Sequence, residues 1–465
     1  MFDTPRDPGV WHRGKRVILF DLSRLISRAG RETPTGIDRV ELAYAEHLLT
    51  RPGALYFTMI TLTGRLGILS RSAAEDYVQT IAGVWRGNVT SLTQTRRAKR
   101  LARRLGAGAL LRGPSGLPTE FRKKLDGPIY LLVSHHHLEK RRLIAGLKQR
   151  RGAQFVCLIH DLIPIEFPEY ALPGQDEKHR RRIETAASLA DAVIVNSTVT
   201  REAFRPYLER AGRAPPVLVA PFGIDLPALA IDPSTLVRPP YFVCVGTIEA
   251  RKNHLLLLNL WRQLVDELGD AAPRLVLVGQ RGWETENAVD MLERCPALRG
   301  VVFEYGNLPD AELTRLVKGA RALLLPSFAE GFGFPLVEAL ALGVPALCSD
   351  LAALRENGGD VAEFFDPLDG PGWRAAVIDY SLPSSPRRRA QLRRLADWTP
   401  PSWEDHFAAV DSLIGEAGAS VRQSAEVALS MGSTPLCEPS FTVSKLQTSS
   451  GLFTEGVRQC QKYRV

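Results

Sequence analysis

Short apolar runs of strand length recur along most of this 465-residue chain, with amphipathic stretches of helix length between them. That alternation dictates an α/β fold, in which parallel strands are joined by crossover helices. In the first half, strands read at 16–22, 54–62, 129–133, 155–159, 192–195 and 217–219, and helices at 37–49, 179–189 and 197–208. The pattern fails across 226–240, which is rich in proline and reads as an interdomain linker. It restarts with strands at 241–245, 274–278, 301–305, 322–325 and 346–348, and helices at 253–267, 284–294, 309–319 and 336–342. A chain this long exceeds one typical core. The expectation is therefore two open sheets, one in a domain over 1–225 and one in a domain over 241–414, with strand ends facing a shared cleft that takes the ligand. The tail 415–465 loses periodicity, gains serine, threonine and glycine, and is expected to be disordered.

Charge and composition narrow the classes. Hydrophobic residues at 45% and charged residues at 24% suit a globular chain. No run approaches the roughly 18 apolar residues of a spanning helix. Residues 1–16 are polar and basic without the apolar core of a secretory signal. The six cysteines show no metal-type spacing, and Cys157 and Cys244 fall inside predicted strands, which points to reduced thiols and a cytoplasmic chain. The net charge of +8 is concentrated over 96–124, where ten Arg and Lys residues face the single acid Glu120. Leu101 and Leu105 give this stretch an apolar edge. It reads either as a solvated helix or loop, or as a segment lying on an anionic membrane surface, where each basic residue contributes about 1 kcal/mol. Nucleic acid is not expected, because no stacking aromatics are interleaved with the basic residues.

One stretch carries chemistry. After the apolar run 322–326 the chain reads E-G-F-G-F-P-L-V-E from Glu330 to Glu338. Gly331 and Gly333 permit positive φ and close approach of a ligand, and Pro335 suits a first helical turn. The amides near Phe332 and Phe334, at the positive end of a helix continuing through Leu336 and Val337, suit a diphosphate. Glu338 can accept two hydrogen bonds from a ribose diol, while Glu330 reaches a second group. On spacing alone, the same residues also describe a capped helix with two solvent-facing acids.

The stretch resembles the E-x7-E signature of retaining family-four glycosyltransferases, which have two facing Rossmann-like domains (the GT-B architecture) and an interdomain cleft. G-T-I-E-A-R-K-N (246–253), L-V-L-V-G (275–279), P-S-F-A-E-G-F-G-F-P (326–335) and A-L-G-V-P (341–345) occur in that family's order. The likeness is specific over about 240–400 and looser over 16–225. It implies a nucleotide-sugar donor, a glycan or lipid-linked acceptor and no metal or other cofactor. The variants I-E-A-R-K-N and H-D-L-I-P look closest to bacterial mannosyltransferase-like polysaccharide enzymes, which favours GDP-mannose over UDP-glucose and a cytoplasmic enzyme, peripheral on the inner face of the membrane.

The resemblance also assigns roles. Lys252, with Arg251 beside it, is similar to the cationic clamp on the donor diphosphate; Thr247 stands where the family commonly has an arginine, and Asn253 is read as capping the next helix. His160, before Asp161 in H-D-L-I-P, takes the place of the histidine against the transferred sugar. Glu330 grips sugar hydroxyls. In T-P-T-G-I-D-R-V-E, Gly36 matches the family's glycine loop, and Asp38 and Arg39 are acceptor or phosphate contacts; a plain helix entry explains the same residues. Phe222, in P-F-G-I-D, replaces a family asparagine. Asn196 and Ser197 read as caps. The adjacent His135, His136 and His137 cannot all converge on one ion, so no metal is expected there. A nonhydrolysing nucleotide-sugar epimerase and a noncatalytic sugar-nucleotide binder share the two-domain reading. A nicotinamide oxidoreductase does not, because no G-x-G-x-x-G turn follows the first strand.

Overall fold

The computed structural model describes residues 17–51, 54–86, 92–112, 127–227 and 237–415. The expected disordered tail, the middle of the linker and 113–124 of the basic stretch lie outside these residues.

Two sheets form the frame. The first contains β1 (Ile18–Asp21), β2 (Leu55–Ile60), β3 (Leu66–Ile68), β4 (Ile129–Leu132), β5 (Gln154–Ile159), β6 (Ala192–Val195) and β7 (Val217–Val219), in the order β3-β2-β1-β4-β5-β6-β7. The second contains β8 (Tyr241–Val245), β9 (Arg274–Val278), β10 (Val302–Tyr305), β11 (Leu323–Leu325), β12 (Ala346–Ser349) and β13 (Glu363–Phe365), in the order β10-β9-β8-β11-β12-β13. All pairings are parallel except β2 with β3. Covering a parallel sheet on both faces requires strands apolar throughout, and β5, β6 and β12 are accordingly buried at every position. In each sheet the chain winds one way from the first strand and then returns to wind the other way, so the order reverses between β1 and β4 and between β8 and β11. Loops leaving the carboxyl ends of strands at such reversals splay apart and open a crevice.

The edge strand β3 and the helices Arg71–Trp85 and Leu92–Arg112 were not legible as a unit. Ala98, Leu101, Leu105 and Ala109 recur at helical spacing and are buried in the same core as β1 and β2. The apolar edge expected to lie on a leaflet is therefore committed to the protein interior, which corrects that part of the amphipathic reading. Arg96, Lys99, Arg100, Arg103 and Arg104 remain exposed, and Arg97 pairs with Asp76.

The last described helix, 403–415, packs Phe407, Val410, Leu413 and Ile414 into the N-terminal core. His406 receives the Tyr44 hydroxyl at Nε2 (2.8 Å) and faces the carbonyls of Ala220 and Pro221 through Nδ1. The two carbonyls require a proton on Nδ1, and burial lowers the pKa to about 4, so the ring is neutral and Nε2 is the acceptor for Tyr44. The chain thus crosses to the second lobe and returns to seal the first.

Two carboxyls are buried under β1. Asp21 accepts from the Ser23 amide (2.9 Å) and the Tyr130 hydroxyl (3.0 Å). Glu41 accepts from the Leu25 amide (3.1 Å), and its Oε2 is buried without a partner. These bonds hold the loop after β1, yet burial raises Asp21 to about 6 and Glu41 to about 8. Between the unfolded carboxyl pKa of about 4 and these values, the folded chain binds more protons than the unfolded one, so this contribution to stability is lost as pH rises. Glu41→Gln retains the acceptor at Oε1. Its thermal midpoint is expected to gain progressively on wild type from about pH 5 to pH 8; a constant offset across that range contradicts the burial account.

Candidate active site

The loops at the strand-order reversal of the second sheet meet a segment at the carboxyl end of the first. The loop after β11 carries Ser327 to Gly333, the loop after β8 carries Gly246 to Asn253, and the segment after β5 carries His160 and Asp161. Gly331 is held so tightly against the N-terminal lobe that a Cβ there would lie 2.9 Å from the His160 carbonyl oxygen and 2.8 Å from Asp161 Cβ. Ser197 Oγ donates to the Gly331 carbonyl from the same side (3.4 Å). Gly333 has φ +88° and begins the helix Phe334–Ala341 with Pro335 in its first turn. A side chain at Gly333 would be strained in its backbone and would strike Leu354. The helix starts two residues before the expected 336, because the αL glycine, not the proline, sets its boundary.

At the centre is Glu330. Its Oε1 accepts from Lys252 Nζ (2.5 Å) and Ser327 Oγ (2.7 Å), and its Oε2 accepts from Arg251 Nη1 (3.3 Å). Arg251 also binds Glu249 (2.7 Å) and the Ala329 carbonyl. Burial pushes the Glu330 carboxyl up, but Lys252 and Arg251 outweigh it and hold it at about 2. Glu330, Glu249 and Asp161 in turn raise Arg251 against its own desolvation. A permanently ionised carboxylate thus sits beside a primary ammonium and a guanidinium. Such a set can grip hydroxyls on one side and an anion on the other. Asn253 occupies the position before the helix His254–Leu268 in αL geometry, but its side chain donates to the Pro367 carbonyl (2.9 Å) and makes no cap bond, contrary to expectation.

His160 donates through Nε2 to the Val133 carbonyl (2.9 Å), and its amide donates to His135 Nε2 (3.1 Å). Burial lowers His160 to about 4 and, with His179 and His160 nearby, holds His135 well below the usual imidazole range. Both rings are neutral at physiological pH; His160 presents a fixed dipole, not a cation. No grouping of His, Cys, Asp or Glu among the described residues could hold a metal. Asn196 donates to the His160 carbonyl (2.9 Å), and Ser197 caps the helix Thr198–Ala211 through the Thr200 amide.

The other acid of the pair, Glu338, accepts from Arg39 of the N-terminal lobe (3.0 Å), which also binds Asp310 (2.9 Å). Gly36 abuts the Phe334 ring, where a Cβ would lie 3.1 Å from Cδ2. Asp38 is fully buried, with Arg24 on Oδ1 and the Thr35 amide and hydroxyl on Oδ2, so both oxygens are committed inside its own lobe. Leu336 and Val337 are buried in the cores beneath.

Sequence reasoning missed the aromatic joint. Phe222 is 1% exposed and stacks on Phe334 at 5.5 Å between centroids, with Phe332 edge-on at 5.1 Å and Trp403 behind. Replacing a polar residue by Phe222 therefore does more than drop one contact, because it builds an apolar seat for the glycine loop. Tyr170 stacks on Phe328 at 5.6 Å, and Glu356 accepts from the Thr198 amide (2.7 Å). The only trace of these in the sequence is the density of phenylalanine in 328–334.

Glu330→Ala leaves Lys252 and Arg251 with one buried acid, Glu249, between them. We expect a loss of about 3 kcal/mol in urea unfolding; a change under about 0.5 kcal/mol contradicts the network.

Residues 232–357 match the family described as glycosyl transferases group 1. The chain is 37% identical over 165 residues to O-antigen chain mannosyltransferase B of Escherichia coli, covering 36% of this chain and 43% of that one. It is 28% identical over 233 residues to the serotype-specific mannosyltransferase WbdA of Escherichia coli, covering 46% and 28%. The chain thus spans less than half the length of these two relatives. Sucrose-phosphate synthase from Thermosynechococcus elongatus superposes with a TM-score of 0.55 at 16% identity, over 87% of this chain and 100% of that one, a likeness of fold alone.

Proposed function

We propose that this chain, which belongs to the group 1 glycosyl transferases through residues 232–357, moves a hexose from a nucleoside-diphosphate sugar to a hydroxyl of a glycan or lipid-linked oligosaccharide, with retention at the anomeric carbon. The observation that carries this reading is the meeting of Glu330 with Lys252 and Arg251 beside the glycine turn, at the carboxyl ends of β8 and β11. Similarity to two mannosyltransferases favours mannose and GDP-mannose.

In this reading the diphosphate lies at the start of the helix Phe334–Ala341, whose first amides and dipole favour negative charge. Lys252, with Arg251 behind it, stabilises the charge that grows on the leaving phosphate. Glu330, ionised at all physiological pH, accepts hydrogen bonds from hydroxyls of the transferred sugar, and the His160 segment holds the sugar's other side. The acceptor oxygen forms its bond to the anomeric carbon on the face from which the phosphate oxygen departs, and that oxygen takes the acceptor proton. The chain's contribution is position and charge, with no carboxylate nucleophile required. Glu338 takes the ribose diol. If the acceptor is lipid-linked, the exposed Arg96, Lys99, Arg100, Arg103 and Arg104 attract an anionic membrane surface at about 1 kcal/mol each. With the apolar edge of their helix buried, that contact is electrostatic, without insertion, and is lost at high salt.

Transfer from radiolabelled GDP-mannose and nucleotide calorimetry test the roles. Glu330→Ala is expected to abolish transfer while nucleotide affinity changes by less than about tenfold, whereas Glu338→Ala weakens nucleotide binding. Equal loss of binding in both contradicts the division. A thermal-shift series with GDP, UDP and ADP identifies the base, since a ligand at about 100 times its Kd adds about 2.7 kcal/mol.

A further inference from the structure

Arg39 is the residue whose placement its sequence context explains least. It extends from the helix Gly36–Thr50 of the N-terminal lobe and divides its guanidinium between two helices of the other lobe, with Nη1 on Glu338 Oε1 (3.0 Å) and Nη2 on Asp310 Oδ1 (2.9 Å). All three side chains are largely shielded, at 29%, 17% and 19% exposure for Arg39, Asp310 and Glu338. They line one crevice with Asp225 and Thr314. Glu338 Oε1 takes the Arg39 bond, no hydrogen bond to Oε2 is found among the described residues, and 19% of the side chain is exposed.

We propose that Arg39 is a positioning residue of the nucleotide site: it reaches across from the opposite lobe, clamps Glu338 through Oε1 and Asp310 beside it, and so leaves Glu338 Oε2 fixed as the acceptor for the ribose hydroxyls. This rests on the glycosyltransferase reading and deepens it. The physical need is plain. Burial raises the carboxyls of both Glu338 and Asp310, and Asp310 raises Glu338 further; Arg39 is the cation that opposes this at Glu338 and the larger of two that oppose it at Asp310, the other being Arg86. Without the guanidinium, two half-buried acids face one another, and the one that takes a proton no longer accepts on that oxygen. Because the cation and the acid belong to different lobes, the ribose grip is complete only when the lobes are together. Closure and nucleotide recognition are thereby coupled through a single side chain.

The test compares GDP with 2′,3′-dideoxy-GDP by calorimetry on wild type, Arg39→Gln and Arg39→Lys. Wild type is expected to prefer GDP by about tenfold or more, the difference a charged acceptor makes to a diol. Arg39→Gln is expected to lose about tenfold for GDP and less than about threefold for the dideoxy nucleotide, and Arg39→Lys, which keeps the charge but not the fork, to recover part of the preference. A purely structural role lowers the unfolding midpoint and leaves the ratio of the two affinities unchanged, which overturns the inference. Tighter GDP binding by Arg39→Gln also overturns it, because Arg39 is then an obstacle at Glu338. If Arg39→Gln does not fold, the ratio in Arg39→Lys decides, and wild-type preference retained in full counts against the fork. Wild type that binds neither GDP nor UDP overturns the glycosyltransferase reading itself, whereas binding with an unaltered ratio overturns this inference alone.

Discussion

Everything at the crevice depends on a carboxylate kept ionised in a place that disfavours charge. Glu330 has 7% of its side chain exposed, and an isolated acid so placed would take a proton. It remains charged because Lys252, Arg251 and Ser327 all donate to it. Those three come from two loops that leave adjacent strands, β8 and β11, so the network exists only if the second sheet closes in its observed order. Fold and chemistry are therefore one problem here. The order reversal that leaves room for a ligand also delivers the charges that would handle it.

The second constraint is apolar. The glycine loop carrying Gly331 and Gly333 lies between an N-terminal carbonyl and an aromatic stack built by Phe222, Phe332 and Phe334. Phe222 is in turn backed by Trp403 and His406, from the helix that returns from the second lobe to the first. A loop with two glycines is free in isolation, and this packing restricts it to one path, with its amides at a helix start. Arg39, Ser197 and Glu356 add polar contacts between the lobes on either side of that seat.

Much of this was legible. The strands 192–195, 241–245 and 274–278 are found where periodicity placed them, because parallel strands buried on both faces are short unbroken apolar runs, and the partly buried edge strand 217–219 keeps the same apolar run. That Glu330 and Lys252 belong to one site was legible only through resemblance, and their ion pair was not legible at all, since the two are 78 residues apart in the chain. What chain order could not disclose was packing between distant segments. β3 is a three-residue strand with Gly67 in its middle and carries little pattern. Leu101 and Leu105 looked like a membrane edge because nothing in the sequence names β3 and the helix Arg71–Trp85 as their cover. Asp310 reads as an ordinary first-turn acid, and its partner Arg39 is 271 residues away. Phe222 read only as a replacement for a family asparagine, and its stacking became apparent only with the returning helix in place.

A structure of the protein with a nucleoside diphosphate bound tests the central claim most directly. The account predicts the diphosphate at the start of the helix Phe334–Ala341 within hydrogen-bonding reach of Lys252, with the ribose on Glu338 and Glu330 left facing the sugar position. Nucleotide seated away from the loops that follow β8 and β11, or diphosphate bound with Lys252 still held by Glu330 alone, would contradict it.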